Sequence, residues 1–157
     1  MRVGRITCSD RASAGIYQDE GGPEIERVFS AIWTEPVEFV PKIVPDVVHE
    51  IEVALRYLAD DFHCPLIITT GGTGFAARDV TPEATRAVLE KELPGFGEIM
   101  RSQSFALAPT SILSRATAGI RGRSLIINLP GNPKAIGQCL PPLVPAIREA
   151  LRHLLES

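Results

Sequence analysis

The run Leu66–Thr70 is the sequence feature that most constrains how this chain can fold. It is almost entirely apolar, and it ends directly in the glycine-rich segment Gly71–Gly74. A short strand without polar alternation is typical of a parallel sheet that helices cover on both faces. Glycines next to its end allow backbone N–H groups to approach an anion closely. The segment therefore predicts a buried central strand followed by an anion-binding loop.

Strand-length apolar runs alternate with helical patterns along the chain. Three early strands are predicted, and they are Arg2–Cys8, Val37–Val44 and Pro65–Thr70. Pro41 indicates that the second strand lies at an edge of the sheet or contains a bulge, because proline cannot donate to a strand ladder. The helical segments are residues 22–33, 47–62, 81–93, 96–107 and the stretch after 134, and a late hairpin joins 114–120 to 124–129. This order predicts a three-layer, doubly wound α/β fold in a single domain of residues 1–157, with a mostly parallel sheet and one antiparallel strand from the hairpin.

The charge and cysteine content exclude several classes of partner. The net charge is −3 without a clustered basic face, so nothing indicates nucleic-acid binding. No uncharged run approaches the roughly 18 apolar residues that a membrane span requires, and early charged residues argue against a signal peptide. Three cysteines, Cys8, Cys64 and Cys139, lie far apart and are odd in number, which indicates reduced, mostly buried thiols. These features predict a soluble cytoplasmic protein with no membrane partner.

Four polar loops follow four of the predicted strands, at residues 9–10, 45–46, 71–79 and 130–134. Ligands of open α/β sheets bind outside the carboxyl ends of the strands, so we expect these loops to form one crevice. The glycine loop fits no common nucleotide motif. No lysine follows it at the phosphate-loop spacing, and the loose dinucleotide pattern lacks its tight strand–helix turn and its acid. An extended loop that offers N–H groups to an oxyanion remains, with a flexible connector as the alternative.

Asp46 and Asp79 are the acids best placed for chemistry, because each lies just beyond the end of a strand. Two carboxylates in one crevice repel each other unless a cation lies between them. Mg²⁺ bound by one or two carboxylates and by substrate phosphates would relieve that repulsion. Both acids could instead stabilise helix N-termini through the helix dipole. That alternative explains Asp79 less well, since Thr81 is expected to cap the next helix with Pro82 in first position.

The turn at residues 130–134 is rigid at its two prolines and permissive at Gly131. It could bring backbone amides and the Asn132 side chain against a ligand, or it could be an ordinary strand–helix turn. Three nearby cations, Arg78, Arg115 and Lys134, could neutralise phosphates, although surface arginines are more often only solvated.

Five ordered motifs resemble the molybdopterin adenylyltransferases of molybdenum-cofactor synthesis, the MogA/MoaB type. They are Thr70–Gly74 with Arg78–Glu83, Pro94–Glu98, Ile112–Arg115, Asn128–Pro133, and the opening Ser9–Ser13 with Asp19 and Gly22. Together the motifs cover essentially the whole chain. The resemblance implies that AMP passes from ATP to the terminal phosphate of molybdopterin, that pyrophosphate is released, and that Mg²⁺ is required.

The resemblance also implies roles for individual residues. Asp46 and Asp79 become the catalytic acids and the metal ligands. The implied substrate- and nucleotide-binding residues are Asp10, Thr70, Gly71, Gly72, Thr73, Gly74, Ser114, Asn128, Pro130, Gly131 and Asn132. Because the family is typically trimeric, a homotrimer is expected, with possible hand-over of its product to a molybdate-insertion enzyme.

Three other functions remain open at this level. A non-catalytic molybdopterin carrier or scaffold would keep the crevice but would tolerate loss of the acids. The molybdate-insertion enzyme shares the fold but is normally much longer than 157 residues. A generic nucleotide-binding domain would bind ATP tightly without a pterin.

Overall fold

A six-stranded sheet runs through the computed structural model, which describes all residues 1–157. Its strands are β1 (Arg2–Cys8), β2 (Glu38–Val44), β3 (Leu66–Thr70), β4 (Lys91–Glu92), β5 (Ala118–Arg121) and β6 (Ser124–Leu129). They lie in the order β2-β1-β3-β6-β5-β4. Strands β2, β1, β3 and β6 are parallel, whereas β5 is antiparallel to both of its neighbours. The predicted mostly parallel sheet with one antiparallel strand is confirmed, as is the edge position of β2.

Helices cover both faces of this sheet. They are α1 (Asp10–Ser13), α2 (Gly21–Ile32), α3 (Val48–Arg56), α4 (Thr81–Val88), α5 (Gly95–Phe105), α6 (Pro133–Cys139) and α7 (Val144–Glu156). A π-helical turn at Tyr57–Asp61 extends α3, and short 3-10 helices lie at Pro109–Leu113 and Pro141–Leu143. Helices α2, α5, α6 and α7 pack on one face, and α3 and α4 pack on the other.

Side-chain alternation along the central strands divides the core into two clusters. Ile67 and Ile126 point to the face covered by α3 and α4, and their neighbours Leu66, Ile68 and Leu125 point to the opposite face. Every residue of β3 is buried. Full burial of each such side chain contributes about 1.5–3 kcal/mol. The uninterrupted apolar run is therefore explained by a strand with no solvent-facing side.

Two local predictions are wrong. Helix α4 ends at Val88, and Lys91–Glu92 form β4 at the sheet edge, a ladder too short to leave a periodic signal in the sequence. Thr81 does not cap α4: the N-cap residue is Val80, and the Thr81 hydroxyl instead donates to the Gly71 carbonyl at 2.9 Å. The Thr81 hydroxyl therefore bonds to the glycine loop, whereas the capping pattern in the sequence predicted that it would bond to the N-terminus of α4.

The predicted hairpin is present in a shorter form. Its first strand begins at Ala118 and not at Ser114, because Pro109–Leu113 turns in a 3-10 helix and the following residues run past the glycine loop.

All three cysteines are buried free thiols, as expected. Burial raises the pKa of the Cys8 thiol to about 12.

No helix combines the length and the apolar character that crossing a lipid bilayer would require.

Candidate active site

The loops that follow β1, β2, β3 and β6 meet at one edge of the sheet, which confirms the expected convergence. They enclose a polar cavity of about 440 Å³. Its lining includes Ser9, Asp46, Gly71, Gly72, Asp79 and Gly131. Parallel strands bring their carboxyl ends to the same edge, so residues distant in sequence become neighbours there.

A second cavity, of about 420 Å³, adjoins the polar one and has a more apolar lining. Phe75, Met100 and Leu113 provide apolar walls, and Arg101 and Asp79 are its charged residues. Asp79 also lines the polar cavity. The carboxylate predicted to be catalytic therefore lies where the two cavities join.

The conformation of the glycine loop explains its composition. Gly71 and Gly72 have φ angles of +95° and +68°, in the left-handed region that favours glycine. A Cβ atom on Gly71 would lie 2.4 Å from the Cys8 carbonyl oxygen, and one on Gly72 would lie 2.3 Å from Thr81 Oγ1. A side chain at either position would therefore require the backbone or Thr81 to move. The conformation of the loop therefore requires glycine at both positions.

Backbone amides of this loop are free to bind a ligand. Gly71 donates its N–H to the Leu129 carbonyl at 3.3 Å, but the N–H groups of residues 72–75 have no partner in the protein. The N–H groups of Gly131 and Asn132, in the facing turn, are also without a partner. Successive unpaired amides form a concave, partly positive surface that suits a phosphate or another oxyanion.

Asp79 is held inside the glycine loop. Its Oδ2 accepts the Ala76 N–H at 3.0 Å, and its own N–H donates to the Ala76 carbonyl at 3.0 Å. Its Oδ1 accepts no hydrogen bond from the protein. Helix α4 begins at Thr81 and its N-cap residue is Val80, so the Asp79 carboxylate does not cap this helix.

Asp46 and Asp10 form two reciprocal hydrogen bonds between the segments that follow β2 and β1. The Asp10 N–H donates to Asp46 Oδ2 at 3.0 Å, and the Asp46 N–H donates to Asp10 Oδ1 at 2.9 Å. Asp46 Oδ1 is buried and has no partner. Burial raises the pKa of Asp46, and the negative charges of Asp10 and Asp79 add to that rise although the Asp10 N–H opposes it.

Asp10 lines neither cavity, and it lies beside the polar one, hydrogen-bonded to Asp46. The Arg78 guanidinium donates to Asp10 Oδ2 from Nε at 2.9 Å and from Nη2 at 2.6 Å. These hydrogen bonds hold the pKa of Asp10 below its usual value. Arg78 is thus paired with a carboxylate, and Lys134 lies outside both cavities. Neither cation lines a cavity, although the positive charge of Arg78 acts to lower the pKa of Asp46.

Arg115 fastens the glycine loop from its other side. Its Nε donates to the Gly74 carbonyl at 2.7 Å, its Nη2 donates to the Asp79 carbonyl at 2.8 Å, and its backbone N–H donates to the Thr73 carbonyl at 2.8 Å. The guanidinium also forms a two-pronged ion pair with Glu83. With its donors used in this way, Arg115 fastens the loop segment that carries Asp79. The sequence gives no sign of this role, because the partners lie up to 41 residues away.

Asn128 is another predicted binding residue that lines neither cavity. It is fully buried, and its Nδ2 donates to Thr69 Oγ1 at 3.1 Å and to Thr85 Oγ1 at 2.9 Å. Its Oδ1 accepts the Thr117 N–H at 3.4 Å. This polar network joins the sheet to α4 beneath the site.

The remaining predicted binding residues lie at the site. Thr70 lines the polar cavity, and its hydroxyl donates to the Pro130 carbonyl at 2.8 Å, which ties β3 to the turn after β6. Thr73, Gly74, Ser114, Pro130 and Asn132 line the apolar cavity, whereas Gly71, Gly72 and Gly131 line the polar one. Asn132 also accepts the Lys134 N–H at 3.0 Å and so caps α6.

The acids suit a cation that takes part of its coordination from a ligand. Asp46 Oδ1 is an unpaired buried oxygen, and Asp79 lines the same cavity with a free Oδ1. No group of three or more histidine, cysteine or acidic side chains is arranged to hold a metal alone. Mg²⁺ commonly uses one or two carboxylates together with substrate phosphates and water, so this donor set fits Mg²⁺.

Comparison with known proteins places the chain in a family. The family described as a probable molybdopterin binding domain matches residues 4–149. The molybdopterin adenylyltransferase of Helicobacter pylori (strain ATCC 700392 / 26695) is 52% identical over 147 residues, which is 94% of this chain and 84% of the relative. That of Escherichia coli K12 is 49% identical over 140 residues, covering 89% and 72% of the two chains.

A solved structure agrees with the sequence relatives. The molybdopterin biosynthesis enzyme MoaB from Thermus thermophilus superposes with a TM-score of 0.90 at 41% identity, covering 99% of this chain and 97% of the other. Fold and sequence identity agree, and the chain belongs to the molybdopterin-binding family that includes the molybdopterin adenylyltransferases.

Proposed function

We propose that this protein is a molybdopterin adenylyltransferase, which transfers AMP from Mg-ATP to the terminal phosphate of molybdopterin and releases pyrophosphate. The observation that carries the proposal is the position of Asp79, which lines both a polar cavity bordered by unpaired amides and an adjoining, more apolar cavity. A polar cavity suits the phosphates of a nucleotide, and an apolar cavity suits a flat pterin ring. The junction is where two such substrates would react.

The reaction needs positioning more than it needs a base. A phosphate oxygen of molybdopterin attacks the α-phosphorus of ATP, a new P–O bond forms, and the bond to the β-phosphate oxygen breaks to release pyrophosphate. A phosphate monoester is mostly a dianion at neutral pH, since its second pKa is about 6. The nucleophile therefore requires no deprotonation. Holding two polyanions in line and stabilising the charge that develops between them supply the rate enhancement.

The chain offers two kinds of group for that task. The unpaired N–H groups of residues 72–75 and of Gly131 would bind phosphate oxygens. Asp46 and Asp79 would hold Mg²⁺, and the bound ion would screen the repulsion between the phosphates. Arg115 and the Asp10–Asp46 pair would keep these groups in place before the substrates arrive.

The same proposal includes a cellular context. The buried, unpaired thiols are compatible with a reducing compartment such as the cytoplasm. The protein would pass adenylylated molybdopterin to a molybdate-insertion enzyme.

The test is a turnover assay with purified protein, molybdopterin and Mg-ATP, in which adenylylated molybdopterin is followed by chromatography. Product should form only with Mg²⁺. Asp79→Asn should lower turnover by about a hundredfold or more and leave pterin binding largely intact, because metal positioning matters mainly in the transition state.

Asp60→Asn is a matched control, since Asp60 pairs with Arg121 and lines neither cavity. This variant should keep wild-type turnover. Equal loss of binding and turnover in folded Asp79→Asn would contradict the catalytic role. Tight pterin binding without product in the wild-type protein would identify a carrier or scaffold instead.

A further inference from the structure

Arg101 is the only lysine, arginine or histidine that lines either cavity of the candidate active site. The polar cavity has no cationic side chain at all, although it contains Asp19, Glu20, Asp46 and Asp79. Two polyanionic substrates would therefore meet a strongly acidic surface with one positive side chain nearby. Whatever anion-binding charge the side chains of the two cavities supply must come from Arg101.

The positive charge of Arg101 is not neutralised within the protein. Arg78 and Arg115 are ion-paired with Asp10 and Glu83, but Arg101 has no carboxylate within 4.0 Å. An unpaired guanidinium in a cavity wall keeps its full charge available to a ligand.

The guanidinium is also fixed in orientation. Its Nη1 donates to the carbonyl oxygens of Ser114 at 3.2 Å and of Ala116 at 2.9 Å. Its Nε and Nη2 have no protein partner, and neither atom is buried. One side of the planar fork is thus anchored to the backbone, and the other side remains free to donate.

The residue next to this fork adds a second polar group. Ser114 lines the same apolar cavity, and its Oγ accepts the Ala116 N–H at 3.3 Å, so its hydroxyl hydrogen stays free to donate. An anchored guanidinium beside a hydroxyl donor is suited to a phosphate group, which accepts several hydrogen bonds and matches the arginine fork.

We propose that Arg101, assisted by Ser114, binds the terminal phosphate of the pterin substrate and holds it as the nucleophile of the reaction. The inference rests on the proposed function and adds the residue that recognises the phosphate. Arg78, Arg115 and Lys134 line neither cavity, so Arg101 is the cationic side chain placed to make this contact.

A binding cycle with two ligands and two proteins tests this assignment. The dissociation constants of molybdopterin and of dephosphorylated molybdopterin are measured for the wild-type protein and for Arg101→Gln by the change in pterin fluorescence. In the wild-type protein, loss of the phosphate should weaken binding about 10- to 100-fold, the range of a charge-assisted hydrogen-bonded pair. In Arg101→Gln the two ligands should bind almost equally, and Arg101→Lys should give an intermediate ratio.

Arg86→Gln is the matched control, because Arg86 lies outside both cavities and is already paired with Glu92. It should retain the full wild-type preference for the phosphorylated ligand. The proposal is overturned if Arg101→Gln keeps that preference as well. Failure of the wild-type protein to bind molybdopterin would instead refute the proposed function, so the two failures are distinguishable.

A measurement on the wild-type protein covers the case in which Arg101→Gln does not fold. Phenylglyoxal modifies accessible guanidinium groups, and mass spectrometry of the peptides reports its reaction at Arg101. Molybdopterin should protect Arg101 from modification, whereas dephosphorylated molybdopterin should protect it much less. Equal protection by the two ligands would contradict a contact with the phosphate.

Discussion

Asp46 keeps one carboxylate oxygen buried without a hydrogen-bond partner. Unpaired polar atoms of this kind are rare in proteins because the lost hydration is not replaced. Burial raises the pKa of Asp46, and the negative charges of Asp10 and Asp79 raise it further. Both effects make the ionised form of Asp46 less favourable in the folded protein. Perturbed carboxyl groups in a cleft are typical of functional sites. A bound cation would relieve both the missing contact and the repulsion.

Asp46→Asn should therefore stabilise the ligand-free protein at neutral pH while it lowers turnover. A folded-state pKa that is raised above the unfolded value means that ionisation of Asp46 favours unfolding. The stability associated with protonated Asp46 is present below the unfolded pKa and is lost as the pH rises through the folded pKa. The variant escapes that loss, so its Tm should exceed the wild-type Tm at pH 7, and the difference should shrink as the pH falls towards 4.

Thermal unfolding of both proteins between pH 4 and pH 8, without Mg²⁺, measures this difference. A variant that is less stable than the wild type across the whole range would show that the ionised carboxylate is satisfied in the fold.

At the scale of elements, the glycine loop after β3 is fastened by residues from three other parts of the chain. Thr81 donates to the Gly71 carbonyl, Arg115 donates to the carbonyls of Gly74 and Asp79, and Leu129 accepts the Gly71 N–H. These hydrogen bonds engage the carbonyl groups of the loop, whereas the N–H groups of residues 72–75 have no partner in the protein. Unpaired amides of this kind can attract an anion.

Gly71→Ala should destabilise the protein by about 2–4 kcal/mol, because strain at a left-handed position is joined by a backbone clash. The new Cβ would lie 2.4 Å from the Cys8 carbonyl oxygen. Gly122→Ala is the matched control: its φ angle is +54°, but a Cβ there meets nothing within 4 Å. The control should lose only about 1–2 kcal/mol, the cost of the left-handed conformation alone.

Urea denaturation of the two variants compares these losses. Equal destabilisation would mean that the glycine loop moves away from β1 without resistance, and the loop would then not be a rigid platform for the ligand.

For the whole molecule, the carboxyl edge of the sheet carries the site, and apolar side chains remain exposed beside it. Phe105, the last residue of α5, is 49% exposed, and Leu107 and Ile112 on the segment that follows are 70% and 61% exposed. Large exposed apolar side chains that lie close together in a chain are compatible with an interface between protein molecules.

We propose that the chain assembles as a homotrimer, as the family resemblance implies. Sedimentation equilibrium should give a mass close to three times the chain mass of 17.0 kDa. Leu107→Glu should shift the mass towards one chain, because it places a charge in the exposed apolar segment. Leu155→Glu, on the 72% exposed Leu155 of α7, is a control of similar exposure and should keep the trimer mass. A mass of one chain at every concentration tested would refute the trimer.

Sequence alone determined the layers of this protein and the edge that carries its site. The uninterrupted apolar run indicated that β3 is buried on both faces, Pro41 agreed with an edge position for β2, and a turn between two strand-like runs indicated the β5–β6 hairpin. The strand ends then placed Asp46 and Asp79 at one edge, since parallel strands share a direction. Local patterns are sufficient for such features because each feature depends on the residues of a single short segment.

Only the tertiary structure decided which polar groups line the two cavities and which are used elsewhere in the fold. Asn128 turns into a buried network, Arg115 bonds to carbonyls up to 41 residues away, and Asp10 pairs with Asp46 at a separation of 36 residues. No sequence motif singled out Arg101, and the structure shows that it is the only cationic side chain lining the two cavities. The physical reason is that a hydrogen bond between residues distant in sequence depends on the relative positions of several loops in the folded protein. No periodic pattern in the sequence specifies those positions.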